Sequence, residues 1–304
     1  MSLRKFIILL LLLNGILIVL AKKKEKEMNY TEGCSVDVMH EKYYLKYHGI
    51  LQYTSFFLLV PLAIASAHYL RDFAPSLTPM GLRIWFHLHR TCNLLAVLLT
   101  IIGIIMTFIV HKWKWIGPKE GCPEKPTASM CHALFGIIAV SLLWLQPIGA
   151  MFRCSPSHNA RKWFYYSHKT IGILAWTLSA ITIMIATAKF KPYFSNQPTA
   201  FILSIIVALL CIIAFVIGEF MHYNSNAVLW NNMSTAKTQS VSYNHSTLAK
   251  KNSGKNMQNV QKVKIHMKIL NVKYRPLFFV IFAISIFVIW IVFITLIGSD
   301  KADD

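Results

Sequence analysis

The chain has 304 residues, of which 55% are hydrophobic and 14% charged, and its formal net charge is +19. That balance is too apolar for an ordinary soluble domain and too poor in charge for a disordered chain, so a membrane protein is expected. The positive excess does not by itself indicate nucleic acid, because basic residues in a membrane protein usually encode orientation, and no nucleic-acid partner is expected.

Residues 1–21 carry Arg4 and Lys5, then an apolar run, then Val19, Leu20 and Ala21. They read as a secretory signal peptide, with a retained signal anchor as the plainer alternative; both place Lys22 onward outside. Residues 22–46 form a short extracytoplasmic segment, in which Asn29 opens a sequon and is the expected site of glycosylation. Apolar runs long enough to span a bilayer follow at 47–70, 84–110, 131–152, 163–188, 200–221 and 276–297.

With the amino end outside, the connections 71–83, 153–162 and 223–275 face the cytoplasm, and these are the basic ones. The last carries Lys237, Lys250, Lys251, Lys255, Lys262, Lys264, Lys268, Lys273 and Arg275 and no acidic residue. The outer connections instead mix Lys119 and Lys125 with Glu120 and Glu124. Rich in Asn, Ser and Lys, 223–275 reads as a mobile basic loop able to rest on anionic lipid, and its sequons at Asn232 and Asn244 are expected to stay bare. Residues 276–298 are an additional span and 299–304 an acidic tail. Cys34, Cys122 and Cys131 all fall on the oxidising side; one bridge is open to them, with the pair undetermined.

Intramembrane ionisable side chains are costly and tend to face a protein interior, so helical spacing sorts the histidines. From His89 the stripe at steps of three and four reads Asn93, Ala96, Thr100, Gly103, Thr107, small or polar throughout. From His87 it reads Thr91, Leu94, Leu98, Ile101, Ile105, a face suited to lipid. Small residues also follow His168 (Gly172, Ala175, Ser179, Thr182, Ala186) and His132 (Gly136, Ala139). His48 is followed by Gln52 and Ser55, then Leu59, Leu62 and Ser66.

Four consecutive helices thus each present one interior histidine near their amino end. Because successive spans run in opposite directions, His48 and His132 share an outer level and His89 and His168 an inner one. Two neutral imidazoles on facing helices can take both axial positions of one haem, and two such sites fit. A lone membrane histidine is more often a satisfied polar residue. A metal transporter is the competing use, but intramembrane carboxylates are confined to Glu219, near a helix end. The fold expected is an all-α membrane protein with a four-helix haem-binding core inside a bundle of five to six transmembrane helices, the core domain covering 47–222.

His48-Gly49, the run Trp85-Phe86-His87-Leu88-His89-Arg90, His132 with Gly136, Leu145-Gln146-Pro147 before Arg153, and Ser167-His168 with Gly172 together resemble the cytochrome b561 family, in particular its DOMON-associated branch. The resemblance implies two non-covalently bound b-type haems with two histidine ligands each, and electron transfer from cytosolic ascorbate to an extracytoplasmic ferric chelate or monodehydroascorbate. It pairs the first histidine with the third and the second with the fourth, as helix direction does. The segment between Lys22 and Tyr47 is too short for a DOMON domain, and Asn93 stands where the family often has Gln.

An anionic donor would be drawn to Arg83, Arg90, Arg153, Arg161, Lys162 and Lys169 beside the inner haem, residues that also satisfy the orientation rule. A non-catalytic adaptor, or a sensor with structural haem, is the alternative reading. A plasma or endolysosomal membrane is the expected location, and homodimerisation stays open.

Overall fold

The computed structural model describes residues 42–113, 115, 127–155, 158–242 and 253–298, the backbone alone at 127, 222–242 and 253–273. The signal segment, Asn29, Asn244, Cys34, Cys122 and the acidic tail lie outside the described residues, and Cys131 is a free thiol.

Six helices are long and apolar enough to cross a membrane, over Lys42–Tyr69, Ile84–Val110, Ala128–Met151, Arg161–Lys189, Gln197–Met221 and Tyr274–Gly298. Inside hydrocarbon every backbone donor and acceptor must be satisfied within the segment, which is why unbroken apolar runs become helices. The helices are α1 (Lys42–Tyr69), α2 (Ile84–Val110), α3 (Thr127–Met151), α4 (Arg161–Lys189), α5 (Gln197–Ser242) and α6 (Ser253–Gly298). α1 starts five residues before the apolar run, through the exposed ring-bearing residues Tyr43, Tyr44 and Tyr47, which suit a membrane interface.

The expected loop 223–275 is mostly helical. α5 continues to Ser242 and α6 begins at Ser253, so only 243–252 separate them. Extending a helix already formed in the membrane requires no new nucleus, and Lys, Gln and Met in these stretches carry little helix penalty. A composition rich in Asn, Ser and Lys is therefore a poor guide to absence of helix.

The chain divides into two compact units, one of Met1–Val60, Leu94–Ala208 and Ile289–Asp304, the other of Pro61–Asn93 and Leu209–Val288. In the first, Gln52 donates to Thr100 O at 3.3 Å and Ser55 to Ala96 O at 3.3 Å. Rising numbers on α1 thus meet falling numbers on α2, an antiparallel pair. Trp144 ties α3 to α2 by donating to the Thr100 hydroxyl at 2.9 Å. α6 lies along α1, where Trp290 donates to the Thr54 hydroxyl at 2.9 Å and Phe293 stacks on buried Tyr53.

α1 contains a π-helical stretch at Thr54–Leu59, in which Val60 N–H reaches back to Ser55 O. In that register the next carbonyl, Phe56 O, would need the N–H of residue 61, which is Pro61 and has none. Buried Trp176 of α4 supplies the missing donor, its indole N–H at 3.0 Å from Phe56 O.

In the second unit, Ser66 donates to Trp85 O at 3.3 Å, Tyr69 to Ala214 O of α5, and His68 lies 3.5 Å from Glu219. Gly218 makes the close approach of α5 to α1 feasible, since a Cβ there would stand 3.0 Å from that of His68. Arg275, 3% exposed, donates to Asp72 at 2.8 Å and to Met221 O at 2.9 Å, joining α6 to α5 and to the turn after α1.

Candidate haem-ligand histidines

The α2 faces separate as the spacing requires. Ala96 and Thr100 below His89 are wholly buried and Gly103 is buried, whereas Leu94, Leu98, Ile101 and Ile105 below His87 are exposed. In α4 and α3, Ala175, Ser179, Thr182 and Ala139 are likewise buried.

His48 and His132 come together in the first unit, their ring centres 6.3 Å apart and their planes at 71°. His48 Nδ1–H donates to Gly103 O at 2.9 Å, and His132 Nδ1–H donates to Thr182 O at 3.1 Å. A carbonyl oxygen only accepts, so each ring carries its proton on Nδ1 and keeps the Nε2 lone pair for a metal. A metal held at roughly 2 Å by one nitrogen of each imidazole, with each nitrogen about 1 Å from its ring centre, separates the centres by about 6 Å. The pair therefore fits the two axial positions of a haem. Phe190 packs edge-on against His132 with centres 5.1 Å apart.

His89, in the second unit, is held the same way, its Nδ1–H donating to Ala63 O at 2.9 Å. The Asn93 amide donates to His89 O at 2.9 Å and lies 3.3 Å from His89 Nε2. His87 presents the opposite nitrogen: its Nε2–H donates to Pro79 O at 2.8 Å and pins the connection before α2. His168 belongs to the first unit, where Phe164 stacks on its ring at 5.6 Å and 17°. Gly172, one turn on, has Gln146 of α3 within 3.9 Å of where a Cβ would stand. Among the described residues no three His, Cys, Asp or Glu gather as a metal-holding group.

The basic residues divide between the units. Arg83, with Nη1 3.4 Å from Arg71 O, and exposed Arg90 lie in the second. Arg153, Arg161, Lys162 and Lys169 lie in the first. Arg161 donates to Cys154 O at 3.0 Å, so it is held beside Arg153, and its guanidinium lies over Phe164 at 5.4 Å. Lys162 and Lys169 lean over Trp163 and Tyr165 at 5.9 and 6.0 Å. The sequence reading missed Phe164 and the three carbonyls that orient the imidazoles. Gly103 and Thr182 were visible as small stripe residues, but nothing in a sequence marks a backbone oxygen as an acceptor.

Residues 47–195 match the family model for eukaryotic cytochrome b561. That segment, just under half of the chain, is similar to the cytochrome b561 family. Among its relatives is a cytochrome b561 and DOMON domain-containing protein of Arabidopsis thaliana, 28% identical over 176 residues, 58% of this chain and 39% of that protein. Human ferric-chelate reductase 1 is 25% identical over 147 residues, 48% of this chain and 23% of its own length. The chain thus matches well under half the length of these relatives. No solved structure matches significantly. Likeness to the b561 family implies haem binding, and the matched segment spans all four candidate histidines.

Proposed function

We propose that this protein carries electrons across a membrane through two b-type haems, from cytosolic ascorbate to an extracytoplasmic acceptor such as a ferric chelate or monodehydroascorbate. The observation that carries this reading is the His48–His132 pair, two imidazoles 6.3 Å apart with their Nδ1 atoms engaged by backbone. Bound haem supplies a one-electron couple between ferric and ferrous iron.

His48 and His132 hold the outer haem, and His89 and His168 the inner one. Carbonyls of Gly103, Thr182 and Ala63 keep three of these rings in the tautomer that binds iron. Arg83 and Arg90 flanking α2, Arg153 before α4, and Lys162 and Lys169 on α4 draw the anionic donor to the cytoplasmic face. A basic balance in alternate connections supports that orientation. Relatives named as ferric-chelate reductases support an iron acceptor.

Oriented membrane vesicles with ascorbate on the cytoplasmic face and a membrane-impermeant ferric chelate on the other test the reading, with haem spectra followed in parallel. Ascorbate should reduce both haems and the chelate. Haem reduction without passage to any outer acceptor would favour a sensor or scaffold, and reduction only from the outer face would reverse the donor and acceptor sides.

A further inference from the structure

Arg161, Phe164 and His168 stand at positions i, i+3 and i+7 of α4, which places them on one face. They are in register as a column. The Arg161 guanidinium lies 5.4 Å above the Phe164 ring centre, and that ring lies 5.6 Å from the imidazole centre of His168 at 17°. The Arg161 end of the column is anchored, because Arg161 Nη1 donates to Cys154 O at 3.0 Å in the connection from α3. Neighbouring Lys162 lies over Trp163 instead, and Lys169 over Tyr165, both rings exposed.

A cation stationed at the amino end of a helix opposes the helix dipole, so its placement over an aromatic ring and against a carbonyl offsets a local cost. Held in this way, half-buried Arg161 presents its charge to the Phe164 ring. A stacked ring limits rotation of the imidazole plane, and a fixed positive charge nearby favours the less positive, ferrous state of an iron bound to it.

We propose that Arg161 and Phe164 are positioning residues for His168, and that Arg161 acts on the inner haem through this column instead of contacting the donor. The inference rests on the proposed function, in which His168 is an inner-haem ligand. Phe164 sets the ring plane, and Arg161 sets the electrostatic bias toward reduction.

The test uses full-length protein with haem in detergent or nanodiscs, comparing wild type with Arg161→Gln, Arg161→Lys and Phe164→Leu. Haem content, redox titration, low-temperature electron paramagnetic resonance and the ascorbate KM and kcat are measured. Arg161→Gln should lower the midpoint potential of the inner haem with the ascorbate KM unchanged, and Arg161→Lys should restore most of that potential. Phe164→Leu should shift the low-spin resonance of the inner haem, which reports the ligand planes, whether or not Arg161→Gln retains full haem. Wild-type potential and resonance in Arg161→Gln and Phe164→Leu, with a raised ascorbate KM in the former, would overturn the proposal and return Arg161 to donor contact. Wild-type protein lacking a second bis-histidine haem would instead overturn the function on which it rests.

Discussion

The rings of His48 and His132 lie 6.3 Å apart at 71°, and each donates its Nδ1–H to a carbonyl of a helix other than its own. His48→Ala or His132→Ala should each remove one haem of the two, since a single axial imidazole holds the macrocycle weakly. His89→Ala or His168→Ala should remove the other. His87→Ala should keep both, because His87 Nε2 is committed to Pro79 O. Haem per protein, measured by pyridine haemochrome, decides this; loss in the His87 variant with retention in the His89 variant would refute the face assignment.

Gly103 leaves room for Gln52 beside the carbonyl that meets His48: a Cβ there would lie 2.8 Å from Gln52 Nε2 and 3.5 Å from Leu51 Cβ. Gly103→Val should push Gln52 off Thr100 O, displace the carbonyl that orients His48, and cost about 1–3 kcal/mol as an overpacking change. Gly149→Val, where no atom lies within 4 Å, is the control and should be tolerated. Thermal unfolding with haem absorbance as the probe separates the two. Equal melting and equal haem retention would count against the close packing.

Trp176→Phe removes the donor that satisfies Phe56 O, the carbonyl stranded by the π-helical register and Pro61. Leaving a buried acceptor without a partner should cost about 1–3 kcal/mol. The measurement is unfolding by a graded denaturing detergent. Trp290→Phe, which leaves Thr54 with its own bond to Ile50 O, should cost less.

Asp72 accepts from an arginine that is 3% exposed, while its own side chain is 46% exposed. Asp72→Asn should destabilise by about 1 kcal/mol, solvent at the carboxylate weakening the pair. Arg275→Leu also frees Met221 O, and should cost about 1–3 kcal/mol. If both variants melt with wild type, the latch between α5, α6 and the turn after α1 contributes nothing to stability.

Much of this protein was readable from its sequence alone. Apolar runs located all six spans to within a few residues at most ends, because in hydrocarbon the backbone has no partner but itself. Helical periodicity told the buried face of α2 below His89 from the exposed face below His87, since a three-to-four residue spacing states which side chains share a face before any neighbour is known. It failed over 223–275, where helices propagate outward from membrane-anchored turns without an apolar stripe to announce them. Tertiary structure decided the rest. The carbonyls of Gly103, Thr182 and Ala63 that set the imidazole tautomers are chemically identical to every other carbonyl in the chain, and only the docking of one helix on another selects them. The same holds for Phe56 O and Trp176, 120 residues apart: the π-helical stretch and Pro61 create the need within one helix, but the donor is found only where α4 packs against α1.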